Sequence, residues 1–273
     1  MNYHPTGKFL TASMLIGMTS AASAITTIYT DNFDIPDTTS LDGSVQTGRH
    51  TGLLASNVVL RSGGVQHTIT SGQLNVLATP YGRVRFQDAA ALPANALWNF
   101  ASGAAGAQIL ADGGFRFEFD WTPLNNTTDD WVCLNVGFNY LDTAIGVANA
   151  STDFGVILRN NGIAQFFDNG VGGVTPTFDV TSVAQRHGTI DFSFSSYADG
   201  SSVTANLFVD NVAVGAPVVF DWNGNGGSIN LEMAANNQAK RVDNVSITTI
   251  PEPSGVILLG LAGLIATGRR RRK

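Results

Sequence analysis

Glu118-Phe119-Asp120 carries two carboxylates two residues apart. On an extended strand that spacing turns both to the same face. Hydrolysis of a glycosidic bond at such a strand needs one carboxylate as nucleophile and another as general acid, about 5–5.5 Å apart in a retaining site. A further acid three residues on from Asp120 would complete the set, but Pro123 stands there. Proline can neither ionise nor donate a hydrogen bond. The pattern therefore reads as a solvated polar face, with Arg116 neutralising Glu118 and Asp120, and the chain reads as a non-enzyme. A glycoside hydrolase remains the weakest of the alternatives. Neither Gly-x-Ser-x-Gly nor a phosphate-cradling glycine loop occurs.

Two other chemistries have candidate residues. Asp129-Asp130 and Asp142 offer oxygens to a hard cation such as Ca²⁺, which takes 6–8 of them, and Asp168-Asn169 is a second group. None shows the spacing of a cation-binding loop, and turn formation accounts for Asp and Asn at these places. The cofactor expectation is none, with Ca²⁺ left open. His50, His67 and His187 are scattered, and Cys133 is the only cysteine, so no transition-metal pattern is spelled out. Cys133 lies in a strand-like stretch and reads as a buried structural thiol. Carbohydrate binding needs an exposed aromatic ring beside amide or carboxylate partners. Trp222, in Asp221-Trp222-Asn223-Gly224-Asn225-Gly226-Gly227, and Trp131, after Asp129-Asp130, are the candidates. Rim packing of Trp222 competes with that reading, since tryptophan is usually largely buried.

The elements that must hold these residues are strands. Phe115, Phe117, Phe119 and Trp121 alternate with Arg116, Glu118 and Asp120, a period-two pattern with one apolar and one polar face. The same alternation marks Val132, Leu134 and Val136; Phe154, Val156 and Leu158; Ile190, Phe192 and Phe194; Val203 to Val209; and Val242 to Ile250. Turn residues separate them: Asn160-Asn161-Gly162, Asp199-Gly200 and Asp210-Asn211. Residues 89–108 are alanine-rich and could hold a short helix. More than ten strands with hairpin connections predict an all-β, two-sheet antiparallel sandwich over residues 25–250. That span holds nine Lys and Arg against 20 Asp and Glu, a balance of −11, where the whole chain stands at −6. Such a surface argues against nucleic acid as a partner.

Both ends of the chain differ from this middle. Lys8 precedes an apolar stretch, and Ala22-Ser23-Ala24 supplies the small-residue pattern of a signal-peptidase site, so residues 1–24 read as a signal helix cut after Ala24. At the other end Pro251-Glu252-Pro253 holds the backbone extended. An uncharged run over 254–268 follows, then Arg269, Arg270, Arg271, Arg272 and Lys273. The run is shorter than the roughly 20 residues of an untilted span, and the basic terminus would stay cytoplasmic. Residues 251–273 thus read as a Pro-Glu-Pro motif, a single transmembrane helix over 254–268 and a basic anchor.

This ordered set, signal peptide, single exported domain, Pro-Glu-Pro, apolar helix and terminal arginine cluster, resembles the PEP-CTERM sorting architecture of Gram-negative bacteria. The resemblance covers residues 251–273. It implies an exosortase-type sorting protease as partner alongside signal peptidase, transient insertion in the inner membrane, and release to the cell surface or an exopolysaccharide-rich extracellular matrix. The strand rhythm of the middle, from Tyr29-Thr30-Asp31-Asn32-Phe33-Asp34 to Arg241-Val242-Asp243-Asn244-Val245-Ser246-Ile247-Thr248, resembles the concanavalin A/laminin-G-like jelly roll. That resemblance implies that the first and last strands lie together. The functional expectation is a structural or adhesive exported sandwich, with a Ca²⁺-dependent, lectin-like carbohydrate-binding module as its alternative.

Overall fold

In the computed structural model, the structure describes residues 24–37, 50–54, 58–62, 68–75, 81–88, 101–123, 129–137, 146–150, 152–181, 184–223, 231–236 and 241–250. All of them belong to one compact unit, Ala24–Pro251. The helices expected over 1–24 and 251–273 lie outside the described residues, apart from Ala24, which is exposed coil. No helix among the described residues is long and apolar enough to cross a membrane.

Seventeen strands follow one another in the described residues: β1 (Thr27–Asp31), β2 (His50–Thr51), β3 (Val58–Ser62), β4 (Thr68–Thr70), β5 (Gln73–Asn75) and β6 (Tyr81–Asp88). After the helix α1 (Gly103–Ala111) come β7 (Gly114–Thr122), β8 (Trp131–Val136), β9 (Phe154–Arg159), β10 (Ala164–Asp168) and β11 (Val171–Gly172). The last are β12 (Arg186–Ser193), β13 (Ser202–Val209), β14 (Val212–Ala213), β15 (Val218–Asp221), β16 (Leu231–Asn236) and β17 (Arg241–Thr249). They form two antiparallel sheets. One has ten strands, with the spine β14-β13-β12-β7-β17-β1-β2; the other has seven, in the order β11-β10-β9-β8-β16-β6-β3. The architecture is the all-β two-sheet sandwich that the alternation predicts.

The core lies between the sheets. Phe115, Phe117, Phe119 and Trp121 of β7 are all at most 1% exposed and face Val132, Leu134, Val136, Phe154 and Val156 across it. Ring pairs knit the layers together: Phe154 stacks on Phe220 at 5.0 Å and meets Phe192 edge-on at 5.3 Å. Such contacts add roughly 0.5–1.5 kcal/mol beyond area burial. Strand β8 is buried on both faces. Its outer residues Trp131 and Cys133 join Val147, Ile157 and Phe167 in a second apolar cluster. Cys133 is a buried thiol outside any disulfide, as the sequence suggests.

Turn chemistry matches the backbone. Asp210 and Asn211 both take positive φ (50° and 65°) between β13 and β14, as a two-residue type I′ hairpin requires. Gly162 (φ 86°) closes the β9–β10 turn, where a Cβ would meet the Phe178 carbonyl 2.6 Å away. In β17 the register shifts between Asp243 and Ser246, at Asn244 (φ 48°). This bulge moves the inward phase by one residue, so Val242, Val245 and Ile247 all face the core. The helix α1 falls at the end of the alanine-rich stretch, later than the 89–108 span suggests.

Strand β1 pairs with β17 from Thr27↔Thr248 to Asp31↔Val245. Beyond the last register pair, the Thr249 amide donates to the Thr26 carbonyl (2.9 Å), and the Thr26 amide donates to Thr249 Oγ1 (2.9 Å). The first and last described segments therefore run side by side and leave the ten-stranded sheet together.

Candidate functional site

The polar face of β7 is real, but its charge pairing differs from the expectation. Arg116 feels the charge of Glu118, but its hydrogen-bonded partner lies on another strand. It forms a bidentate pair with Asp191 of β12, Nε to Oδ1 at 2.6 Å and Nη2 to Oδ2 at 2.9 Å. Register explains this, because Arg116 lies directly across from Asp191. The side chain beside the two acids is His187, which the sequence offered only as a scattered histidine. Its Nδ1 lies 2.7 Å from Asp120 Oδ1 and its Nε2 lies 3.6 Å from Glu118 Oε1. Asp120 is across from His187 on β12 and across from Asp243 on β17. No local motif encodes that meeting of three strands.

Amides and hydroxyls complete the cluster. Asn244 Nδ2 donates to Asp120 Oδ2 (2.8 Å), Gln185 Nε2 donates to the same oxygen (3.3 Å), and Ser246 Oγ donates to Glu118 Oε2 (3.1 Å). Burial raises the Asp243 carboxyl above its usual range; donors from Asn244 and Gln73 oppose this, and the charges of Asp120 and Asp34 add to it. A hydrolytic triad needs the base to contact a nucleophile, and here Ser246 bonds Glu118 instead. The cluster sits on an open sheet face, with 36% of the His187 side chain and 25% of Glu118 exposed, so water is not excluded. It ties polar side chains of three strands to one another.

A second polar group sits at the rim where the two sheets meet. Asp153, just before β9, is 2% exposed. Its Oδ1 accepts the Asn223 backbone amide (2.9 Å), and its carboxylate packs on Gly137, where a Cβ would collide with it. Asn223 follows β15 of the ten-stranded sheet. Its Nδ2 donates to Asn169 Oδ1 (2.7 Å) in the β10–β11 turn and, at 3.4 Å, to the Ala150 carbonyl. Burial pushes the Asp153 carboxyl up to about 7; the Asn223 amide pulls it down, and Asp199 and Asp168 push it further up. Two residues from Gly137 on the same face of β8, Asn135 is fully buried, and neither amide atom has a hydrogen-bond partner among the described residues. Register sets Glu232 of β16 opposite Asn135. Asp153 escaped the sequence reading because it lies outside every alternating run. The φ-positive Gly137 (79°), directly after β8, is the signal that something large approaches there.

The remaining candidates divide clearly. Trp222 is 2% exposed, its Nε1 donates to the Ser196 carbonyl (3.0 Å), and its ring meets Phe194 and Phe220 at 5.3 and 5.2 Å. It is a core residue and has no free face for a sugar, which corrects the binding reading. Trp131, 8% exposed in the second apolar cluster, is likewise packed rather than presented. Asp129 Oδ1 accepts from Asn161 Nδ2 (2.8 Å), while the Asp130 carbonyl accepts the Asn160 amide (2.7 Å). Both brace the β9–β10 turn. Asp142 lies outside the described residues, as do Ala22, Pro251, Glu252, Pro253 and the 269–273 cluster. Among the described residues no three His, Cys, Asp or Glu side chains gather to hold a metal ion.

No family model matches the chain, and no curated protein does. Solved structures similar to it include the metal-free form of lectin I-B4 from Griffonia simplicifolia, 14% identical, with 78% of this chain and 97% of that one covered and a TM-score of 0.40. The legume lectin-like domain from Entamoeba histolytica is 5% identical, with 71% and 90% covered and a TM-score of 0.44. Arcelin-5, a lectin-like defense protein from Phaseolus vulgaris, is 12% identical, with 83% and 98% covered and a TM-score of 0.43. Likeness at this level carries nothing to this chain about ligand or metal.

Proposed function

We propose that this chain is an exported Gram-negative surface or matrix protein whose sandwich serves as structural and adhesive material. Signal peptidase removes residues 1–24. An exosortase-type protease acts at Pro251-Glu252-Pro253 after residues 254–268 enter the inner membrane and the 269–273 cations stay behind. The processed domain ends at the cell surface or in an exopolysaccharide-rich matrix, and it catalyses no reaction. The observation that carries this reading is the order of residues in the tail: Pro251-Glu252-Pro253, an uncharged run and five cations, in a chain that carries Ala22-Ser23-Ala24 near its start.

The fold supports it from another side. Thr26 and Thr249 are hydrogen-bonded neighbours, so the two segments that lead to the processing sites leave the paired strands β1 and β17 at the same end. A cargo of that shape can fold fully while held at either end. The test is replacement of Pro251, Glu252 and Pro253 by alanine in the producing cell. The expected outcome is uncut chain that accumulates in the inner membrane. Unchanged mass and unchanged location would refute the sorting role.

A further inference from the structure

Two sheet edges meet along one side of the sandwich, and no further strand among the described residues pairs with either. β11 ends the seven-stranded sheet, and its chain runs on beside β10: the Gly173 amide donates to the Phe166 carbonyl (2.8 Å), and the Phe166 amide donates to the Val174 carbonyl (3.2 Å). β15 lies at the end of the ten-stranded sheet and pairs with β13. Between the two edges is an open groove of about 600 Å³, lined by Phe166, Val174, Pro176, Val218 and Val219 among others. Four of the seven large apolar side chains exposed among the described residues, Val171, Val174, Val212 and Val219, belong to the strips 169–178 and 211–220 that form these edges.

Register shows which way the backbone of β15 points. Val218 is across from Ala205 and Phe220 from Val203, and the Trp222 amide donates to the Ser201 carbonyl (3.0 Å). Alternate residues of an antiparallel strand turn both N–H and C=O to the same neighbour. Residues 218, 220 and 222 therefore serve β13, while Val219 and Asp221 offer their backbone groups outward. Pro217, next in the outward set, has a carbonyl but no N–H. An open edge of this kind is a template for another strand, and proteins commonly blunt it with a lysine, a bulge or a cover. Here Pro217 guards one end, and residues 211–220 carry no charge.

The strand that fits this edge is its own copy. Laid antiparallel about a two-fold axis at Val219, Pro217-Val218-Val219-Phe220-Asp221 meets the same five residues reversed. Each Val219 amide then reaches the partner's Val219 carbonyl, and each Asp221 amide reaches the partner's Pro217 carbonyl. The missing proline N–H falls at the end of the ladder, where the Asp221 carbonyl stays in water. Asp221 faces a proline rather than a second acid. Charge selects the same approach. With nine cations against 20 acids over residues 25–250, copies repel over most of their surface, whereas 169–178 and 211–220 are uncharged and border the groove. We propose that two copies of this chain associate through β15, edge to edge about a two-fold axis, closing the groove and joining their ten-stranded sheets into one. An isologous contact of this kind stops at two copies. It gives the structural part of the proposed function a partner, and rests on that reading only for where in the cell the copies meet.

The test is sedimentation of the purified full chain in a non-ionic detergent, over a concentration series at low and high salt. Val219→Glu and Val219→Thr are run beside it; position 219 is exposed, and thermal midpoints check that both variants fold. The parent forms a dimer whose affinity rises as salt screens the acidic bodies. Val219→Glu places two like charges at the axis and loses about tenfold affinity or more, while the β-branched Val219→Thr associates as the parent does. Across a hydrogen-bonded antiparallel pair the Cα atoms stand about 5.5 Å apart, a span that a disulfide fits. Mild oxidation therefore links Val219→Cys into a covalent dimer, and leaves Ser193→Cys, exposed on β12, unlinked. The proposal is overturned if the parent stays monomeric throughout, if Val219→Glu associates as the parent does, if Val219→Cys links no faster than Ser193→Cys, or if an open-ended series of oligomers replaces the dimer. A chain with Pro251, Glu252 and Pro253 replaced by alanine associates as the parent does, so failure of sorting and failure of self-association are separate results.

Discussion

Asp120 and Asp153 carry the same carboxyl group into opposite settings. Asp120 stands on the outer face of the ten-stranded sheet, where His187, Asn244 and Gln185 all reach it. Asp153 is sealed at the rim, with a backbone amide on Oδ1 and two further acids as its electrostatic neighbours. The first site distributes charge over three strands and stays wet. The second withdraws a carboxyl from water and makes it a weak acid. Polar residues on this sandwich therefore do two different jobs. Those on the sheet face tie strands laterally, while those at the rim tie one sheet to the other.

The largest expected effect is at the rim. Trp222 precedes Asn223 and anchors it in the core. Trp222→Ala is expected to cost about 3–5 kcal/mol, measured by denaturant unfolding, and to release the Asn223 contacts to Asp153 and Asn169. A loss under 1 kcal/mol would mean that the rim is not held this way. Next comes the titration of Asp153. Its folded pKa of about 7 lies above the ordinary 3.8, so the folded state holds the proton more tightly than the unfolded one. The stabilising contribution is complete below pH 4 and is lost as the pH rises through 7. At about 1.4 kcal/mol per unit, a shift from 3.8 to about 7 gives a swing on the order of 4 kcal/mol. Asp153→Asn keeps an acceptor for the Asn223 amide and should flatten stability over that window. An unchanged slope in the variant would assign the effect elsewhere.

The smallest effect is on the sheet face. With a third of its side chain exposed, His187 is screened by water and salt. His187→Gln should change stability by no more than about 1 kcal/mol, and the change should shrink as salt is raised. A larger, salt-independent loss would erase the distinction between the two regions.

How much was legible follows from range. Period-two alternation and turn residues are local, so β7, β9, β12, β13 and their hairpins could be read directly, as could the Asp210-Asn211 turn. Arg116 could be placed on the polar face, but its partner was set by the register of β12 against β7, which the sequence does not spell out. The phase change in β17 depends on Asn244 at positive φ, a conformation that asparagine permits without requiring. Glycines and amides around Trp222 in the chain keep rim packing and sugar contact both open, whereas three-dimensional neighbours from 194–196 and Phe220 enclose the ring. Asp153 was invisible because a lone Asp between Thr and Phe carries no pattern, and its burial comes from Gly137 and Asn223, far along the chain.

The central claim is that the sandwich between Thr26 and Thr249 is delivered cargo with both flanking segments removed. Intact-mass measurement on protein isolated from its own cells tests it most directly. The account predicts a mature chain that begins at Ile25 and has lost the residues beyond the Pro251-Glu252-Pro253 site. A mass that retains Met1 through Lys273 would contradict it.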